Sequence, residues 1–417
     1  MRRYAGREGA ALSPLQGRFY RAARRLAGRE RLLRGGALAG LLLLTLASLG
    51  AAWWASRAEA LAERQRLVAL DAIAQRTYET VDKLAKVAGT SQVLGELIQN
   101  NVELLDRLLA LDPADARTQD HRIANLQRAA DAWMQLGDTG RAKETMQRLL
   151  EITRGRAAAD PGNREWQRDL SVSHEKLGDL ALALGDTAAA REAYRQALAI
   201  RERLAAADPG NGEWQHDLLA SYFRIGGVRL AAGETAEALE AADKCVSIAR
   251  RLADADPSNP RRATETAAAL KLRGEVHDAQ GHLDLATDDY REAAKLTPDA
   301  ADGQGALGWA LIRLGRFAEA RAPAEQAHRL APTDVNWTIN LGHTYLLAGD
   351  PAAARPYYDA SIAQIPDAAA LARGPVADFE LFIAKGWQVK ACRAALARMR
   401  EGFARRAPAK PAGGAGP

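Results

Sequence analysis

The side chains that do chemistry are present in this chain, but not at working spacings. Seven histidines, at 121, 174, 216, 277, 282, 328 and 343, are scattered along it. A zinc site needs three or four His, Cys or carboxylate ligands held at tetrahedral spacing. The nearest approach is His277 with His282, five residues apart across a predicted turn, and two ligands are too few. Cys245 and Cys392 are the only cysteines; they match neither a metal spacing nor a disulfide framework. Cys245 aligns with Ala197 and Ala293 of neighbouring segments and reads as a small core residue. There is no Gly-x-x-x-x-Gly-Lys-Ser/Thr loop to cradle phosphates, no Gly-x-Ser-x-Gly elbow and no His-Glu-x-x-His pair. The residues predict no catalytic, cofactor or metal site, and the many carboxylates read as solvated helix faces.

Charge is distributed unevenly. The net charge is +5, yet residues 1–34 alone hold ten Arg against Glu8 and Glu30, or +8. The remainder is mildly acidic at −3, so a nucleic-acid partner is not expected. Arg outnumbers Lys 47 to 10 and Ala is abundant, a bias that suggests a bacterial gene rich in G and C.

Gly35 to Ala55 contains no charge and seven leucines, long enough to span a bilayer as a helix, with Trp53 and Trp54 at its far end. The basic leader 1–34 predicts a cytoplasmic N-terminus, a single transmembrane helix at 35–56 and an extracytoplasmic remainder, at a bacterial inner membrane. A cleaved signal peptide ending near Ala58-Glu59-Ala60 is the competing reading, and it exports the same remainder. Gly36 and Gly40 form a Gly-x-x-x-Gly step through which two such helices could pair as a homodimer.

The elements beyond are set by repetition. Asp-Pro pairs recur at 112, 160, 208 and 256, every 48 residues; Pro298, Pro332 and Pro366 then follow every 34. A fixed period in this range means one supersecondary unit stacked on its own copies. Each copy predicts two helices: Asn163 caps the first, Gly185-Asp186 breaks it, and Asp208-Pro209 ends the second. The caps recur as Asp115, Asn163, Asn211 and Asn259. Trp166 and Trp214 recur as anchors expected to be buried.

The pattern resembles the tetratricopeptide repeat family. That family places Leu-Gly in the first helix, Ala twelve residues on, an aromatic four beyond and often a terminal Pro. Here it stands as Leu307-Gly308, Ala320, Ala327 and Pro332, and as Leu341-Gly342, Ala354, Tyr358 and Pro366. Gly274, Ala286, Tyr290 and Pro298 form another copy, and Gly178, Ala190 and Tyr194 with Gly226 and Ala238 fill the long copies. Ala324 and Ser361 depart from the pattern.

The resemblance implies an all-α, right-handed helical solenoid preceded by the membrane helix. The expected order is membrane-proximal helices with a degenerate repeat at 57–114, long repeats at 115–266, 34-residue repeats at 267–368, capping helices at 369–403 and a disordered tail at 404–417. It also implies a non-catalytic scaffold whose concave groove, lined by first helices, takes a protein or peptide. On that mapping the partner-binding candidates are Trp309, Arg313, Asn336, Asn340 and His343, with Ile312, Glu175, Asp179, Arg224 and Arg229 beside them. Trp309 and Trp337 also fit packing between adjacent repeats. The carboxylate clamp of chaperone-binding relatives cannot be assembled from these residues. The other functional expectation is the extracytoplasmic arm of a signalling receptor, shortened from a relative with a cytoplasmic effector domain.

Overall fold

The computed structural model describes residues 116–135 and 137–406 continuously, with individual helical positions between 93 and 107. The basic leader, the 35–56 segment, Gly36 and Gly40, the Asp115 cap, most of 57–114 and the tail beyond 406 lie outside the described residues. Among the described residues no helix is long and apolar enough to cross a membrane, and no strand occurs.

Two compact units divide at Leu136 and Gly137. The first contains α1 (Ala116–Gln135), which buries Ile123, Leu126 and Trp133. The second is a series of helix pairs: α2 (Thr139–Ala159), α3 (Arg164–Ala183), α4 (Thr187–Ala207), α5 (Gly212–Ala231), α6 (Thr235–Ala255), α7 (Pro260–Ala279) and α8 (Leu283–Leu296). Then come α9 (Ala301–Arg313), α10 (Phe317–Leu330), α11 (Val335–Leu347), α12 (Pro351–Ile362) and α13 (Ala368–Leu371). A π-helical turn at Ala372–Val376 leads into α14 (Ala377–Ala384), and α15 (Val389–Arg405) closes the described chain. From α2 to α12 each helix packs mainly on those adjacent in sequence, whereas α15 packs on α12 as well as on α14.

One turn recurs at the junctions between helices. Gly137, Gly185, Gly233, Gly281, Gly315, Gly349 and Gly386 all have φ between 73° and 92°, the left-handed region that glycine enters at low cost. At Gly185 the Asp186 N–H reaches back to the Ala181 carbonyl at 2.8 Å, satisfying a helix end that would otherwise be orphaned. The glycines are spaced 48, 48, 48, 34, 34 and 37 residues apart, so the sequence period is a structural one. The first helices start as their caps predict. Asn163 accepts from the Trp166 N–H, Asn211 from Glu213 and Trp214, and Asn259 from Arg261, all at 3.1 Å.

In five pairs, the first helix carries a glycine sixteen positions before a buried Tyr or Ala of the second. A Cβ at Gly178 would sit 2.5 Å from the Tyr194 ring, one at Gly274 2.6 Å from Tyr290, and one at Gly342 2.8 Å from Tyr358. The missing side chain admits the ring, and burying a ring of this size contributes about 2 kcal/mol. In the other two pairs the residues sixteen on are Ala242 and Ala324, both buried, although a Cβ at Gly226 would meet Ala241 rather than Ala242. A Cβ at Gly308 would sit 3.3 Å from the Ala324 backbone, and Leu272 fills the space at Gly226. Ala190, Ala238, Ala286, Ala320 and Ala354 are all fully buried where the paired helices cross.

Three expectations are adjusted. Helix α7 runs unbroken through 266 and 267, so a 20-residue first helix is joined to the 14-residue α8 in one hybrid unit. The 369–403 segment, expected as capping helices, holds α14 and α15, and α15 extends to Arg405, past the expected start of the tail. Trp166 is only half-buried, with the Arg156 guanidinium 4.7 Å over its ring, whereas Trp214 is buried as expected.

Candidate protein-binding face

The face that could hold a partner is set by the packing glycine. If the glycine of a first helix points at its own second helix, residues three before, one after and four after it share another face, because i, i+4 and i+7 stack along a helix. Those positions are Glu175, Asp179 and Leu182 on α3, Phe223, Gly227 and Leu230 on α5, and Lys271, Glu275 and Asp278 on α7. On α9 they are Gly305, Trp309 and Ile312, and on α11 Ile339, His343 and Leu346.

Upstream this face is open and held by ion pairs. Arg224 of α5 reaches α3, at 3.2 Å from Glu175 and 3.1 Å from Asp179, while Asp179 accepts from the Tyr194 hydroxyl at 2.7 Å. Burial works against the Arg224 charge, but the two carboxylates outweigh it and its pKa stands above the ordinary value. Burial, with help from Asp179, raises the Tyr194 pKa as well. Beneath lies Arg201 of α4, itself buried. It donates to Ser171 at 3.1 Å, Ser221 at 2.8 Å and the Asp217 carbonyl at 3.1 Å, and pairs with Glu175. Arg168 pairs with Asp217 at 2.6 Å, and His216 of α5 stands 3.0 Å from Glu265 of α7. Lys271 meets Asp302 at 3.4 Å, and Asp278 pairs with Arg313 of α9. Between these fixed charges, Leu182 is 42% exposed and Phe223 40% exposed.

Downstream the same positions are closed. Ile312 and His343 are both 0% exposed. His343 does not line an open groove: its Nδ1 lies 3.0 Å from the Tyr358 hydroxyl, its Nε2 3.4 Å from Asp378, and Phe379 and Phe382 stand edge-on at 5.0 Å. Ile312 is likewise core, unlike Leu182 at the equivalent position of α3. Trp309 is half-buried against His343 and Phe382, and Trp337 packs over Gly305 between repeats. Arg313 is engaged by Asp278, Asn340 is half-buried and Asn336 is exposed. The five residues therefore do not converge on one open surface. Phe223 and Leu182 were missed in the sequence, although counting from Gly226 and Gly178 would have found them.

A family model described as tetratricopeptide repeat matches residues 218–379, and a second of the same description matches 173–203. Those stretches are tetratricopeptide repeats. Solved structures with a similar fold include PilW, a widely conserved type IV pilus biogenesis factor: 18% identity over 60% of this chain and 96% of that one, TM-score 0.43. BtubC from P. vanneervenii is 17% identical over 66% and 96%, TM-score 0.42. YrrB, described as a TPR protein with an unusual peptide-binding site, is 16% identical over 53% and 96%, TM-score 0.36. No curated protein matches the chain. Among the described residues of this repeat protein, no cluster of three or more His, Cys, Asp or Glu could hold a metal.

Proposed function

We propose that this repeat protein is a non-catalytic scaffold, anchored by a single membrane helix at 35–56, that holds a polypeptide partner along the first-helix face of α3, α5 and α7. The observation that carries this reading is the pair of open apolar side chains, Leu182 and Phe223, set among charges already fixed by their own partners. Exposed apolar groups on a rigid polar frame suit a segment that buries two or three of its own side chains, and the prefixed charges lower the ordering cost of binding. The ten arginines before residue 35 favour a cytoplasmic N-terminus and an extracytoplasmic array. The Gly36–Gly40 step offers a route to a homodimer.

A photo-cross-linking side chain at 182 or 223 should give a discrete adduct in cells, and one at 309 should give none. Adducts only at 309, or at none of the three, would refute the assignment of the face. A reporter active only outside the cytoplasm, fused after Pro417, tests the orientation separately, and silence there would place the array inside.

A further inference from the structure

The first-helix face of the last two repeats is made for contact with protein rather than water. Its positions on α9 and α11 are Trp309, Ile312, Ile339, His343 and Leu346, where α3 and α7 mostly carry Glu175, Asp179, Lys271, Glu275 and Asp278. The neighbouring repeat does not supply all the cover. Phe382 of α14 touches His343 one repeat back and also lies 6.3 Å from the Trp309 ring, two repeats back. Trp387 reaches the same distant repeat, with its ring edge-on to Phe317 at 5.1 Å and 3.3 Å from where a Cβ of Gly315 would stand. A stacked repeat normally touches only its immediate neighbours; this segment crosses one to reach the next.

Breaks in helical geometry bound the segment on both sides. Before it, Gly374 leaves helical φ/ψ beside Pro375. After it, Gln388 sits at φ 40°, a left-handed conformation that a non-glycine residue adopts at a cost. The following helix is held separately, by Arg398 on Asp359 at 2.7 Å and by Gly402 against Ile362. The crossing is thus a feature of 377–388 alone.

We infer that residues 377–388 are an internal ligand of the array, laid across the first-helix face of the two 34-residue repeats so that no partner can use it. The consequence for partner binding rests on the function proposed above, but the cover itself needs no partner to be tested.

Leu182 and Ile312 occupy equivalent positions, so each is replaced by cysteine in the full chain and labelled with a soluble maleimide. The native thiols give little background: both are buried, and burial pushes Cys245 up to about 12 and Cys392 up to about 11. Leu182→Cys should label at least about tenfold faster than Ile312→Cys, whose reaction must wait for local opening. Adding Phe382→Ala with Trp387→Ala should speed labelling at 312 about tenfold and leave 182 unchanged. Equal rates at 182 and 312 in the starting chain would overturn the inference, as would protection at 312 that survives the double change with helicity intact. If the double change lowers helicity, Trp387→Ala alone serves, since its ring lies at the rim, and no rise in rate at 312 would again overturn it.

Discussion

At the residue scale, the glycines divide by what faces them. Gly178→Ala places a methyl against the Tyr194 ring and should cost about 1–3 kcal/mol by overpacking. Gly227→Ala, on the next first helix with nothing within 4 Å, should be neutral or stabilise by up to about 1 kcal/mol. Urea titrations of both variants check the pair, and equal effects would mean the ring does not need the space. Gly226 is a poorer probe, because the atom a Cβ there would meet is the terminal methyl of Leu272 at 3.0 Å rather than a ring. Arg201→Ala should cost about 1–3 kcal/mol in the same titration, since Ser171, Ser221 and the Asp217 carbonyl lose their buried donor while Glu175 keeps Arg224. The packing glycines were legible because they recur with the period. Arg201 was not: it occurs once, and its partners lie 16 to 30 residues away.

At the element scale, caps explain both what was read correctly and what was missed. The Asn caps of the first helices stand beside the Asp-Pro pairs, so sequence alone places those helices to within a residue or two. The second helices are capped by Asp138, Asp186 and Asp350, each bonding a backbone N–H about 3 Å away, but Glu234, His282 and Arg316 stand at the equivalent places without doing so. This broken series hid the motif. His282→Asp should restore it on α8 and stabilise by about 0.5–1 kcal/mol, read as a rise in the denaturation midpoint. No rise would mean that α8 is positioned by packing alone. The last pair was least legible, because the π-turn adds three residues to the period and its aromatics answer to side chains two repeats away. A repeat count sees neither.

At the scale of the whole second unit, helices from Ala190 to Ala293 share one apolar cluster and those from Ala286 to Met399 another, with α8 contributing to both. Stability should therefore be spread along the stack rather than concentrated at one site. Its pH dependence should come partly from half-buried histidines. Burial pushes His174, His216 and His277 below the ordinary imidazole value, against the pull of nearby carboxylates. Below that ordinary value the unfolded chain takes up protons that the folded one resists, so stability is full above it and falls on acidification. Melting temperature should drop between pH ~7.5 and ~5.5, and changing the three histidines to glutamine should shrink the drop. A rise over that interval would show that the carboxylate neighbours dominate.

The crossing of 377–388 has one more consequence, for length. With the far end closed, an extended chain on the open face can run across α3, α5 and α7 and then must stop. Helices pack about 8–10 Å apart, so three of them span roughly 30 Å including their own width. At about 3.3 Å per residue this accommodates roughly nine residues. The protein would then act as a gauge, accepting short linear stretches and turning away those that need a longer track.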